Sequence, residues 1–168
     1  MNGSFLATDL AELRRDFDQA FAKLPATAAE DTERLLSIRI EGDFYALRLL
    51  DISELLIQSQ MIPIPSRNSS LLGIAGSKGR IVPVFSLALL MGYSQTEENC
   101  RWLIICGNTQ PVGLAFSTFE RFFCAPRSTI STIHEANKNY SRQVMRDGMT
   151  AHLIIDIQSL LSQIQHKE

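Results

Sequence analysis

"LLGIAGSKGRIVPVFSLALLMG", residues 71–92, places Gly73, Gly76 and Gly79 within seven positions and runs directly into an apolar stretch interrupted by Pro83. Closely spaced glycines serve three kinds of site. A phosphate cradle needs a glycine, four residues and then Gly-Lys-Ser/Thr opening a helix, so that backbone N–H groups converge on the anion. Here Lys78 precedes Gly79, and a strand-like run follows. A nucleophile elbow needs Gly-x-Ser-x-Gly between a strand and a helix. "AGSKG" lacks the first glycine, and Ser77 leads into "RIVPVF". What fits is a tight turn between two strands that holds out a surface, with Pro83 at a sheet edge or a bulge where its missing N–H is tolerated.

The flanking sequence is also strand-like. Leu36, Ile38 and Ile40 alternate with Ser37, Arg39 and Glu41, Gly42-Asp43 supplies a turn, and Tyr45, Leu47 and Leu49 resume the alternation of a β-hairpin. Asp51 and Glu54 stand three apart, a capping-box pattern that predicts a short helical turn over "ISELL". Pro63 and Pro65 mark an extended piece, Ser86 is placed to cap a short helix "LALLM", and Gly92 to end it. Further on, "RWLIIC", "GNTQ" and "PVGLAF" make another hairpin, "FERFF" continues extended, and Asp147-Gly148 signals a further turn. "TAHLIIDIQSLLSQI" then passes from strand to helix at Asp156, with Ile157, Leu160, Leu161 and Ile164 on one face.

The two halves correspond. "YALRL" at 45–49 matches "VGLAF" at 112–116, and "SLALL" at 86–90 matches "DIQSL" at 156–160. Two similar all-β lobes follow, lobe one over about 35–92 and lobe two over about 100–164, each ending in a short helix. Closed barrels are the natural way for strands this short to remove their edges. Ahead of them, Leu6, Leu10, Leu13, Phe17, Ala20 and Leu24 form one apolar stripe at helical spacing, ended by Pro25. Residues 1–34 therefore read as an amphipathic helix and a polar tether, "PATAAEDTER", before a domain at 35–164.

The bulk composition excludes several functions. At 168 residues, 45% hydrophobic and 20% charged, the chain can bury a core without staples. A net charge of −2 supplies no basic footprint for nucleic acid, and the apolar runs are shorter than a membrane span. No export signal is read at the N-terminus, and Cys100, Cys106 and Cys124, odd in number and set in or beside apolar runs, read as reduced core thiols of a cytoplasmic protein. Trp102 likewise reads as core. There is no CxxC, no HxxxH and no calcium loop, so no metal or cofactor is predicted. A base for Ser77 would have to be His134 or His152, neither beside an acidic residue in sequence. A binding module is favoured over an enzyme by elimination.

The run from Gly73 to Leu87 resembles the CheW-like family of bacterial chemotaxis adaptors, whose members carry a glycine-containing turn ending in Arg-Gly, an apolar strand with proline, and Asp-Leu. "FYALRLLDISELL", "QPVGLAF" and "DGMTAHLIIDIQSLL" resemble three further family segments in the same order. The resemblance implies an all-β fold of two packed five-stranded SH3-like barrels with short helices, and a non-enzymatic adaptor that couples the cytoplasmic tips of chemoreceptors to the regulatory domain of a CheA-type histidine kinase, in a chemotaxis-like or twitching-motility pathway. It would be cytoplasmic and recruited to receptor arrays, with no nucleic acid bound and no membrane insertion.

Position by position, the resemblance puts Glu54 and Lys78 as a pair on the receptor face, with Ile52, Leu56, Leu72 and Ile74 as an apolar groove beside them. It puts Val112, Leu114 and Phe116 toward the kinase, and makes Gly73, Gly76, Gly79 and Pro83 responsible for the loop geometry. Lys78 stands where the family has arginine, keeping the charge but losing the planar fork. Gly76-Ser77, Ser86 and Ser117 also depart from the family pattern, which suggests a divergent or auxiliary adaptor whose N-terminal helix adds a contact. The alternative is a sensory β-barrel domain that binds a small molecule in its interior or between its lobes.

Overall fold

Two-residue turns in the left-handed region organise the chain. Glu41 (φ 51°) and Gly42 (φ 92°) join β1 (Thr32–Ile40) to β2 (Asp43–Arg48), and Lys78 (φ 47°) and Gly79 (φ 74°) join β5 (Leu71–Ser77) to β6 (Arg80–Ser86). Positive φ at both central residues twists the turn in the sense that strands require. The first turn thus lies one residue earlier than Gly42-Asp43. The remaining elements are β3 (Ile52–Ile57), β4 (Met61–Ile62), α1 (Leu87–Leu90), β7 (Trp102–Cys106), β8 (Val112–Phe116), β9 (Thr118–Pro126), β10 (Ile130–Thr132), β11 (Gln143–Asp147), β12 (Thr150–Ile154) and α2 (Ile157–Gln165). This computed structural model describes residues 31–57, 60–94, 100–133 and 140–165, with Arg15. The expected N-terminal helix and most of its tether, and His134, lie outside the described residues.

The strands form two sheets, ordered β10-β11-β12-β2-β1-β9 and β3-β7-β8-β6-β5-β4. The mainly-β, two-lobed expectation holds, with the short β4 and β10 as a sixth strand in each sheet. The lobes, however, are not the two halves of the chain. The first sheet takes β1 and β2 from one end and β9 to β12 from the other, while the second takes everything between. The sequence repeat remains real: α1 and α2 start at Leu87 and Ile157, and the strand before each helix pairs in parallel with a hairpin strand, β6 with β8 and β12 with β2. Each repeat donates its leading hairpin to the other's sheet. Local patterning fixes a strand's faces but leaves open which repeat it pairs with, so the boundary at about 92–100 read from the repeat does not divide the sheets.

Between the sheets lies the largest core, in which Leu36, Ile38, Tyr45, Phe85, Ile104, Leu114 and Phe116 meet Leu87 of α1 and Ile157, Leu160 and Ile164 of α2. Both helices start as expected. Leu89 N–H donates to the Ser86 hydroxyl at 3.3 Å, and Ser159 N–H donates to Asp156 Oδ1 at 3.2 Å. Each sheet also curls around a small core of its own, Ala75, Val82, Val84, Leu103, Ile105 and Ala115 in the second, and Leu35, Ala46, Ala125, Met145 and Ile154 in the first. That second layer is why Ser37, expected to face outward, is buried.

Candidate functional site

The capping box read at Asp51 and Glu54 does not form. Leu49–Asp51 is a single 3-10 turn, and Ile52–Ile57 is strand β3, paired with β7. Because β3 is extended, Glu54 falls on the same face as Leu56, toward the interior of the second sheet. A register shift between Ile52 and Glu54 re-aims the strand there. From the far side of the sheet the β5–β6 hairpin curls round to meet it. Ser77 Oγ donates to Glu54 Oε1 at 2.8 Å, and Lys78 Nζ stands 3.1 Å from the same oxygen. β3 and β5 lie toward opposite ends of the strand order, so this contact closes the sheet on itself.

The three residues differ in exposure, and that sets their roles. The Glu54 side chain is 15% exposed and the Lys78 side chain 70%, while Ser77 is buried. Closure therefore depends mostly on a sheltered hydroxyl–carboxylate bond, worth about 1.5–3 kcal/mol for a charged acceptor. A mostly solvated ammonium adds only about 0–1 kcal/mol of stability. Lys78 thus sits at the hairpin tip as an exposed cation whose position is fixed from below. Ser77, considered as a nucleophile, is partnered by a carboxylate.

Of the glycines, Gly79 serves the left-handed turn, and Gly73 lets another strand approach. A Cβ at Gly73 would collide with the backbone oxygen of Ile62, so β4 lies against bare backbone there. Gly76 has open space around it and no left-handed φ, so the loop does not depend on its being glycine. Pro83 pairs with Ile74 on β5, one position before the β6–β8 pairing begins at Val84. Its missing N–H therefore falls on a locally unpaired edge.

The four apolar candidates separate. Ile52 packs against the core between the sheets, and Leu56 and Leu72 against the interior of the second sheet. Ile74, half-buried, lies on the outer face beside its cross-strand neighbours Ile62 and Pro83. That face carries residues not picked out from the sequence, Ile62 and Ile81, which are 62% and 75% exposed, and Ile64, just past β4, is 36% exposed. The alternation in "MIPIP", held extended by its prolines, was the available signal. Of the residues assigned to the kinase side, Leu114 and Phe116 are fully buried between the sheets and Val112 is half-buried. Leu114 and Phe116 lie in the core shared by the two sheets, so those two side chains hold the lobes together and are not presented to a partner.

The first sheet repeats the closure with reversed charge. Arg121, placed just after a register shift in β9, pairs with Asp147 at the end of β11. Inside this end, His152 on β12 packs between Phe44 and Phe123, with ring centroids 5.5 and 5.6 Å away. Arg39 and Arg121 cap those rings at 4.8 and 4.9 Å. Burial, and secondarily Arg121, pushes the His152 pKa below its usual value. The cysteines do not behave as one class. Cys106 is buried, which pushes its thiol up to about 12. Cys100 is half-buried, and Cys124 is exposed because the expected core face of β9 there turns to solvent. Trp102, also half-buried, stacks 4.9 Å from Phe119 where the sheets meet.

Comparison with known proteins agrees with this geometry. The sequence model of the CheW-like domain matches residues 34–165. The chemotaxis protein CheW of Thermotoga maritima is 26% identical over 152 residues, which span 87% of this chain and 98% of that one. The crystal structure of the scaffolding protein TtCheW from Thermoanaerobacter tengcongensis superposes with a TM-score of 0.66 at 17% identity, over 73% of this chain and 88% of that one, a likeness of fold.

Proposed function

The chain belongs to the CheW-like domain family, and from that premise we propose that it is a non-enzymatic signalling adaptor, joining the cytoplasmic tips of chemoreceptors to the regulatory domain of a CheA-type histidine kinase. The observation that carries this reading is the rim of the second sheet, where Lys78 is held out over Glu54 beside an apolar face of exposed Ile62 and Ile81 and half-buried Ile74. A charged anchor beside an apolar strip suits a helical partner that lays an amphipathic face on the surface. An adaptor needs only modest affinity at each contact, because clustering in an array raises the effective concentration of every partner.

In this reading Glu54, Lys78 and Ile74 form the receptor face, while Ile52, Leu56 and Leu72 support it from within. The kinase contact falls on exposed parts of the lobes rather than on Leu114 and Phe116. Among the described residues no helix is long and apolar enough to cross a membrane, and the protein would work in the cytoplasm at membrane-associated receptor arrays of a chemotaxis-like or twitching-motility pathway. The N-terminal helix read from the sequence would add a contact of its own, while Thr32–Arg34, read as part of the tether, belong to β1.

Calorimetric titration with a soluble receptor-tip hairpin and with an isolated kinase regulatory domain tests the assignment. Lys78→Glu and Ile81→Ser should each weaken the receptor titration at least tenfold while the fold is kept. Unchanged receptor binding in both variants would remove this face from the function.

A further inference from the structure

A cavity of about 420 Å³ opens in the first sheet, where β1 begins and β2 ends. Its wall is unusual in charge. Glu33 and Arg34 come from β1, Arg48 from β2, Leu49 and Leu50 from the crossover into the second sheet, and Arg127 from the turn after β9. Three arginines thus border one depression.

The carboxylates nearby are already committed. Arg48 Nε donates to Glu33 Oε2 at 2.9 Å, and the same guanidinium reaches Gln143 Oε1. Arg127 Nε lies 3.2 Å from Asp31 Oδ1 and 3.5 Å from Glu33 Oε1, so both Glu33 oxygens are shared between arginines. Asp51, on the crossover, interacts with Arg48, but burial is the stronger influence and pushes its carboxyl up. Arg34, half-buried, forms no ion pair among the described residues. The cavity is therefore bordered by a cation that has no ion pair among the described residues, next to two arginines that share Glu33.

We propose that this cavity is a binding site for a small organic anion, a carboxylate or phosphate with a short apolar part. The size is within the range of about 300–1,000 Å³ typical of small-molecule sites. Guanidinium forks match carboxylate and phosphate oxygens two at a time. Arg34 supplies the uncommitted fork, Arg127 the second charge, and Arg48 a background charge locked by Glu33 and Gln143. Buried Leu49 and exposed Leu50 form the apolar side that would select an organic anion over a bare one. The site lies on the first sheet, apart from the Glu54–Lys78 rim on the second. The turn that carries Leu49 and Leu50 runs directly into β3, which bears Glu54.

Titrating the full chain with inorganic phosphate and, separately, with succinate, at fixed ionic strength and read by calorimetry and thermal shift, tests the site. Saturable binding of either compound is expected, and which of the two binds more tightly separates a phosphate ligand from a carboxylate one. Arg34→Gln should weaken that binding at least tenfold, and Arg127→Gln, on an exposed turn where folding is not at stake, at least threefold. Arg67→Gln, an exposed arginine outside the cavity, should leave it unchanged. Absence of saturable binding by both compounds, or equal weakening by all three variants, would overturn the proposal.

Discussion

Removing Ser77's hydroxyl should cost the protein more than removing Lys78's charge, although Lys78 is the more conspicuous member of the rim. Ser77→Ala deletes a 2.8 Å bond to a carboxylate that is only 15% exposed. Leaving that sheltered charge short of a donor costs about 1.5–3 kcal/mol. Lys78→Ala removes an ammonium 70% exposed, and water replaces most of what it gave, so the loss is about 0–1 kcal/mol. With a urea slope near 2 kcal/mol/M, Ser77→Ala should lower the unfolding midpoint by about 0.8–1.5 M and Lys78→Ala by less than about 0.5 M. The slope itself should not change, since neither substitution alters the area exposed on unfolding. Added salt should erase the Lys78 effect and spare that of Ser77. Equal or inverted losses would refute the division between a closing serine and a presented lysine.

Further outcomes follow from the same geometry. Gly73→Ala must displace the backbone of Ile62 and should destabilise by about 1–3 kcal/mol, whereas Gly76→Ala, which meets open space, should be near neutral in the same urea assay. Leu114→Ala should cost about 2–5 kcal/mol of stability, seen in calorimetric unfolding as a lowered transition, because that side chain is fully buried between the sheets. His152, with its pKa held below the usual value by burial, is favoured neutral in the fold. Its contribution is fully present above about pH 6.5 and is lost as pH falls toward the lowered value, so stability at pH 5 should drop relative to pH 7.5 and His152→Phe should flatten that difference. With Cys106 pushed up to about 12 and Cys124 exposed, iodoacetamide at pH 8 should label Cys124 in the native protein and Cys106 only after unfolding, as mass spectrometry of the peptides will report.

Much of the fold was legible because it is written in local chemistry. Alternation marked β1 and β2, apolar runs flanking the turn "GNTQ" marked β7 and β8, and the side chains of Ser86 and Asp156 announced both helix starts. The Glu54–Lys78 pair came from a family resemblance and is met in the structure. What escaped was decided at long range. Asp51 and Glu54 match a capping box locally, yet pairing of β3 with β7 and the hydroxyl of Ser77 outweigh one marginal helical turn. Exchange of hairpins between repeats leaves no local trace, since either partner would bury the same faces. Leu114 and Phe116 can be read from the sequence as a docking strand or as core, and the packing of the second sheet against the first decides for core. Ile62 and Ile81 stand out only once β4, β5 and β6 are aligned side by side.

In the proposed function the rim of the second sheet is a docking face separate from the kinase contact. The most direct measurement is whether a receptor-tip hairpin and a kinase regulatory domain bind one molecule of this protein together, followed by sedimentation velocity with wild type and Lys78→Glu. A ternary complex with wild type, reduced in the variant to the kinase–adaptor pair alone, is predicted. Displacement of one partner by the other, or an undiminished ternary complex with Lys78→Glu, would contradict it.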